Sequence, residues 1–196
     1  MRIFPVLLSV AGACALAACD TGSDAPPQGQ AKHKGEDSLL ISSDGAKAQL
    51  TYAHAGTPAP DAVFTGPDGK AARLADFRGK PLLVNLWATW CGPCKAEMPT
   101  LERLSAREAG KITVLALSQD MDGMAAVKPY FAKQGFKALQ PYIDSENGVM
   151  AATASASLPT TIYYDAAGNE AWRVIGSVEW DDGEIADMLK EGMMPQ

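Results

Sequence analysis

Two apolar runs set the frame of the chain. Leu82 to Ala88, LLVNLWA, is of strand length and carries one polar residue, Asn85. Ile112 to Ser118, ITVLALS, is a second such run. Short runs this apolar read as strands covered on both faces. Between them the spacing changes from strand-like to helical. Met98, Leu101 and Leu104 recur at the interval of one helix face, which predicts a helix from about Pro93 to Ala109. Gly110 should stop it and Pro99 should kink it. Strand, helix and strand in this order predict a right-handed crossover and a parallel pair.

The flanking pattern adds smaller elements. Residues 56–81 read as an entry loop and a hairpin turning at Pro67-Asp68-Gly69. GMAAVKPYFAKQGF predicts a short helix broken near Pro129, and PYIDSENGVMAATAS a short strand and another helix. TTIYYDAAGNEAWRVIG predicts a hairpin with its turn at Ala166 to Asn169. WDDGEIADMLKEG predicts a C-terminal helix capped by Asp181 or Asp182. No internal repeat is found. The sum is an α/β domain with a central mixed sheet flanked by helices.

The N-terminal part differs in texture. Arg2 precedes an apolar run ending near Ala18, a secretory signal pattern too short for a comfortable membrane span. Asp20 to Ser38 is rich in Gly, Pro, Ser and charge, so it cannot bury enough surface to offset its ordering entropy. A flexible tether with a reach of roughly 20–25 Å is expected there. Ser38 to Gly56 is ambiguous: Leu39, Leu40 and Ile41 could add an edge strand or rest on the domain. The expected division is a signal over 1–18, a tether over 19–52 and a domain over 53–196.

Composition excludes some functions. The chain is 47% hydrophobic and 20% charged, with a net charge of −6 and no long basic run. Nucleic acid is therefore not an expected partner. Four cysteines matter more than the charge. Cys91 and Cys94 are separated only by Gly92 and Pro93, at the expected junction of strand and helix. There the first sulfur faces free backbone N–H groups and the positive end of the helix dipole. This favours the thiolate, the nucleophile of disulfide exchange. The second sulfur lies one turn away and can resolve a mixed disulfide. Pro93 suits a first helical turn, where no N–H is needed. The rival readings are poorer. A closed zinc site needs about four ligands, and the only histidines, His33 and His54, precede the regular domain. A copper site of two thiolates and a distal histidine meets the same objection, and no cofactor is expected. As a structural staple, so small a loop removes little unfolded-chain entropy.

Several stretches carry a family resemblance. WATWCGPC, the internal Pro99, and LPTT from Leu158 to Thr161 resemble the thioredoxin fold. GTPAP, DFRGKPLLVNLWATWC and CKAEMPTLERL are similar to the TlpA/ResA-like membrane-anchored thiol-disulfide reductases, over roughly Gly56 to Glu191. The resemblance implies a thioredoxin-like fold with an N-terminal hairpin extension and a central insertion between Ser118 and Leu158. It implies a cis Pro159 that faces the cysteines, shapes the groove and pairs with substrate backbone. Asn85 stands where thioredoxin has its buried aspartate, and Ala116 where it has a lysine. Glu97, three residues beyond Cys94, matches a glutamate near the cysteines of ResA-like proteins; its plainer reading is a surface glutamate in a first helical turn. Trp87 is expected in the core and Trp90 on a partner-facing rim. Redox tuning is expected from Asn85, Trp90, Gly92 and Pro93, and catalysis from Cys91, Cys94, Glu97 and Pro159.

The N-terminus resembles a bacterial lipoprotein signal. Leu16-Ala17-Ala18-Cys19 looks like a lipobox, in which Cys19 takes lipid; Asp20 resembles an inner-membrane retention signal. Cys14 lies in the signal, which leaves Cys91 and Cys94 as a pair. The expected protein is a lipid-anchored, monomeric thiol-disulfide oxidoreductase on the periplasmic side of the inner membrane. The family implies reduction of protein disulfides, in apocytochrome c or copper-centre cysteines, with electrons from a membrane thiol-disulfide reductase. The alternatives are a disulfide oxidase or isomerase, and a non-enzymatic copper chaperone.

Overall fold

The computed structural model describes residues 35–41, 45–183 and 185. The expected signal, Cys19, Asp20 and most of the tether lie outside the described residues, as does most of the expected C-terminal helix.

The two apolar runs lie side by side in the sheet. They form β5 (Leu82–Trp87) and β6 (Thr113–Ser118), paired in parallel with Asn85 opposite Ala116. The helix between them is α1 (Gly92–Arg107). It runs through Pro99 and ends before Gly110, which adopts φ +85°. The chain then supplies α2 (Met124–Gln134), β7 (Pro141–Ile143) and α3 (Gly148–Ala152), followed by the hairpin of β8 (Thr160–Tyr164) and β9 (Glu170–Ile175). The break expected at Pro129 does not occur. α2 continues through it to the left-handed Gly135, while Val127 and Phe131 on either side of Pro129 hold the helix to the core.

Upstream, β3 (Val63–Thr65) and β4 (Ala71–Arg73) form the expected hairpin, and β3 meets β7 at the sheet edge. The tether boundary requires correction. Residues assigned to it form β1 (Ser38–Ile41) and β2 (Lys47–Thr51), and β2 pairs antiparallel with β9. The physical reason lies in alternation: Leu40, Ala48 and Leu50 turn inward and join the core, while Leu39 and Ile41 face out. The sheet order is β1-β2-β9-β8-β5-β6-β7-β3-β4.

β5 lies near the middle and is buried on both faces. Its alternation divides the core. Leu83 and Trp87 join Met98, Leu101 and Leu104 of α1, whereas Leu82, Val84 and Leu86 join Leu115, Leu117 and Ile162 on the opposite side. Asn85 has the parity of Leu83 and Trp87, so the strand's one polar side chain is directed toward α1.

One glycine governs the β2–β9 junction. Gly176 has φ +109°, and a Cβ there would lie 2.9 Å from the Lys47 carbonyl oxygen. Gly176→Ala should therefore destabilise the domain by about 1–3 kcal/mol in a denaturant titration. Gly92, with open space around its missing Cβ, should tolerate alanine with little change in the same measurement.

Candidate active site

The site forms where β5 ends and α1 begins. Cys91 is the N-cap of α1, and its sulfur accepts the Cys94 backbone N–H at 3.2 Å. Gly92 and Pro93 form the first turn, where proline costs no hydrogen bond. Cys91 and Cys94 are joined as a disulfide, with Cα atoms 5.3 Å apart. Cys91 retains 6% exposure and lines a groove; Cys94 retains none. Both cysteines are thus largely covered in the oxidised pair, and Cys91 is the one that reaches the groove.

That groove has a volume of about 710 Å³. Its walls include Trp90, Pro93, Met121, Met150 and Leu158. Trp90 is 68% exposed and Met121 82%, so two large apolar side chains stand free at its rim. Trp87, by contrast, is fully buried. The Leu158–Pro159 peptide bond is cis, and Pro159 is buried behind the wall that Leu158 forms. Pro159 has no N–H to donate, and its carbonyl accepts the Gly176 N–H at 3.0 Å.

Beneath the cysteines lies a polar cluster that the strand parity makes possible. Glu97 is only 2% exposed, which overturns its reading as a surface residue. Asn85 Nδ2 donates to Glu97 Oε1 at 2.7 Å and to Thr161 Oγ1 at 2.8 Å. Glu97 Oε2 accepts the Val178 N–H and the Trp180 indole N–H, both at 3.2 Å. Burial pushes the Glu97 carboxyl up to about 8, against the pull of these donors. Cys94 and Glu97 lie one helical step apart on the buried face of α1. A carboxyl that titrates near the ordinary range of a thiol can exchange protons at neutral pH.

Sequence reasoning missed three parts of this arrangement. Thr161 lies in the LPTT motif but its hydroxyl gave no separate signal. Val178 and Trp180 reach Glu97 across more than 80 positions of sequence. Asp120 is the third. It is buried, and it accepts the Thr89 N–H at 2.9 Å, the Thr89 hydroxyl at 2.6 Å and the Ser118 hydroxyl at 2.7 Å. Thr89 lies within the turn closed by Cys91 N–H to the Ala88 carbonyl at 3.1 Å. Asp120 therefore fixes the turn that presents Trp90 and Cys91. Its place just beyond the C-terminal end of a parallel strand was the available clue.

With this geometry in hand, the likeness to known proteins has a physical meaning. Residues 54–189 match the Redoxin family. The chain belongs to the Redoxin family. It is similar to the thiol-disulfide oxidoreductase ResA of Geobacillus kaustophilus, 32% identical over 138 residues, covering 69% of this chain and 78% of that one. It is also 32% identical to the thioredoxin-like protein YneN of Bacillus subtilis, over 66% of this chain and 80% of the relative. Among solved structures, the exposed lipoprotein thioredoxin of Streptococcus pneumoniae aligns with TM-score 0.59 at 26% identity, over 67% of this chain and 99% of that one. A putative thiol:disulfide interchange protein DsbE from Chlorobium tepidum shares the fold, with TM-score 0.61 at 22% identity, over 70% of this chain and 96% of that one. This Redoxin is a ResA-like thiol-disulfide oxidoreductase with a thioredoxin-like fold.

The buried carboxyl gives a pH test. Below pH 4.5, the ordinary value for Glu97, both folded and unfolded chains hold its proton. Between 4.5 and about 8 the unfolded chain releases it and the folded chain does not, so stability falls as pH rises and levels off above the folded value. Glu97→Gln should remove this slope. The variant should exceed the wild type in stability at pH 8, by up to on the order of 4 kcal/mol, and lose that advantage near pH 4.5. Urea titrations across the range would read the difference.

Proposed function

We propose that this Redoxin reduces disulfides of extracytoplasmic proteins, with Cys91 as nucleophile and Cys94 as resolving thiol. The observation that carries the proposal is the Cys91 sulfur at the helix N-terminus, opening into an apolar groove. In the reduced enzyme the Cys91 thiolate attacks one sulfur of the partner disulfide. A mixed disulfide forms and one partner thiolate leaves. Cys94 then gives up its proton and attacks the Cys91 sulfur. The second partner thiol is released, and the Cys91–Cys94 disulfide has accepted the partner's oxidation.

In its ionised form, the minor one at neutral pH, Glu97 is the proposed proton acceptor for Cys94, with burial raising its carboxyl toward the thiol range and the Asn85 hydrogen bond opposing that rise. Gly92 and Pro93 set the geometry of the pair, Trp90 offers a contact to the partner, and Pro159 shapes the groove wall. The reducing direction is supported by the Gly-Pro dipeptide, which resembles that of reducing thioredoxins. The substrates proposed are apocytochrome c or copper-centre cysteines, and the electron donor a membrane thiol-disulfide reductase. Cys19 is the proposed lipid attachment site, and a solved relative is itself described as an exposed lipoprotein. Among the described residues, no helix is long and apolar enough to cross a membrane. Cys19→Ser should move the protein out of the membrane fraction; retention there would remove the anchor from the account.

Two measurements test the proposal. Cys94→Ser should accumulate mixed disulfides through Cys91 in cells, and Cys91→Ser should accumulate none. Equilibration of the wild-type pair with glutathione should give a potential toward the thioredoxin end, near −270 mV. A value near −120 mV, that of a dedicated oxidase, would replace the reductase with an oxidase.

A further inference from the structure

Gln119 lies just beyond β6, and the strand's alternation carries Leu115, Leu117 and then Gln119 toward the same side. Its backbone N–H donates to the Trp87 carbonyl at 2.8 Å, which fixes it beside the end of β5. Its side-chain Nε2 donates to the Leu117 carbonyl at 3.2 Å. The amide is thereby oriented, and Oε1 is the end left over. Gln119 is 3% exposed, and Oε1 has no hydrogen-bond partner. Among the described residues, six buried side-chain polar atoms lack a partner. Gln119 Oε1 is the one whose residue lines the groove beside Cys91. An oriented, buried acceptor without a donor costs stability, and its retention at a binding groove calls for a ligand.

The donor that completes it follows from the chemistry of the groove. None of the described residues lining the groove is charged, so a neutral N–H suits it better than an ammonium or guanidinium group. The Cys91 thiol cannot serve, since neither the disulfide, nor the mixed disulfide, nor the thiolate carries an S–H. A partner cysteine, whatever its sequence, is flanked by backbone N–H groups. We propose that Gln119 Oε1 accepts a backbone N–H of the partner segment that carries the reacting cysteine. Gln119 is then a positioning residue for peptide disulfides. The inference rests on the reading above that partners dock in the Cys91 groove. It adds that recognition is of extended backbone, which small disulfides lack.

The test uses the reduced wild type, Gln119→Met and Gln119→Leu. Two oxidants are compared: a neutral peptide with one intramolecular disulfide, and dipyridyl disulfide, which has no N–H. For both variants KM for the peptide should rise about 3- to 10-fold, the loss of one hydrogen bond, with kcat little changed. Their rates with dipyridyl disulfide should stay within twofold of wild type. Their Tm should match or exceed that of wild type, because an unpaired acceptor has been removed. A peptide KM within twofold of wild type would overturn the inference. So would equal losses on both disulfides, particularly with a lowered Tm, which would assign Gln119 to structure alone. A wild type inert toward both disulfides would instead overturn the exchange reading of the groove, and this inference with it.

Discussion

A single buried carboxyl ties together the parts of the molecule that meet beneath the cysteines. Glu97 stands on α1, receives Asn85 from β5, and receives Val178 and Trp180 from the segment after β9. Asn85 in turn reaches Thr161 of β8. β5, the helix and the chain beyond the hairpin thus converge on two oxygen atoms, and β8 joins them through Asn85. Removing a carboxyl from water is expensive unless its oxygens are satisfied or it keeps its proton. Here both occur. The donors hold the group in place, and burial still raises its proton affinity to about 8. The residue that fastens α1 to the sheet is therefore also a buried titratable group one helical step from the buried Cys94.

The same arrangement separates the two sulfurs by environment. Cys94 is inside, on the face of α1 that carries Glu97, Met98 and Leu101. Cys91 is outside the first turn and lines the groove. Its position is set from the other side by Asp120, which grips Thr89 through both backbone and hydroxyl. Two carboxyl groups at strand ends and on the helix thus define the site without touching the groove. What the groove presents is apolar and neutral, apart from amide and hydroxyl groups.

The frame and the cysteine pair were legible in the sequence because they depend on local order. β5, α1 and β6 follow from apolar runs and helical spacing, and Cys91 follows from its place at their junction. The parity of Asn85 along β5 was also readable, and it aims the side chain at α1. What could not be read was contact between distant segments. Trp180 is 83 positions from Glu97, and nothing local marks it as a partner. Burial of Glu97 involves that contact, so its place near the cysteines came from the family resemblance and not from local spacing. The β1–β2 segment reads as ambiguous, with an edge strand at Leu39–Ile41 as one of two possibilities, because polar and glycine-rich neighbours mask a short alternation that pairing with β9 makes favourable. Pro129 misled in the opposite sense: tertiary packing of Val127 and Phe131 outweighed a local helix breaker.

The central claim is that Glu97 keeps its proton at neutral pH because it is buried. Carbon-13 NMR of the side-chain carboxyl, followed through a pH titration of the full domain, reads this directly. The Glu97 resonance should be that of a neutral carboxyl at pH 6 and should titrate with a midpoint near 8. A midpoint in the ordinary glutamate range, about 4.3, would contradict the account.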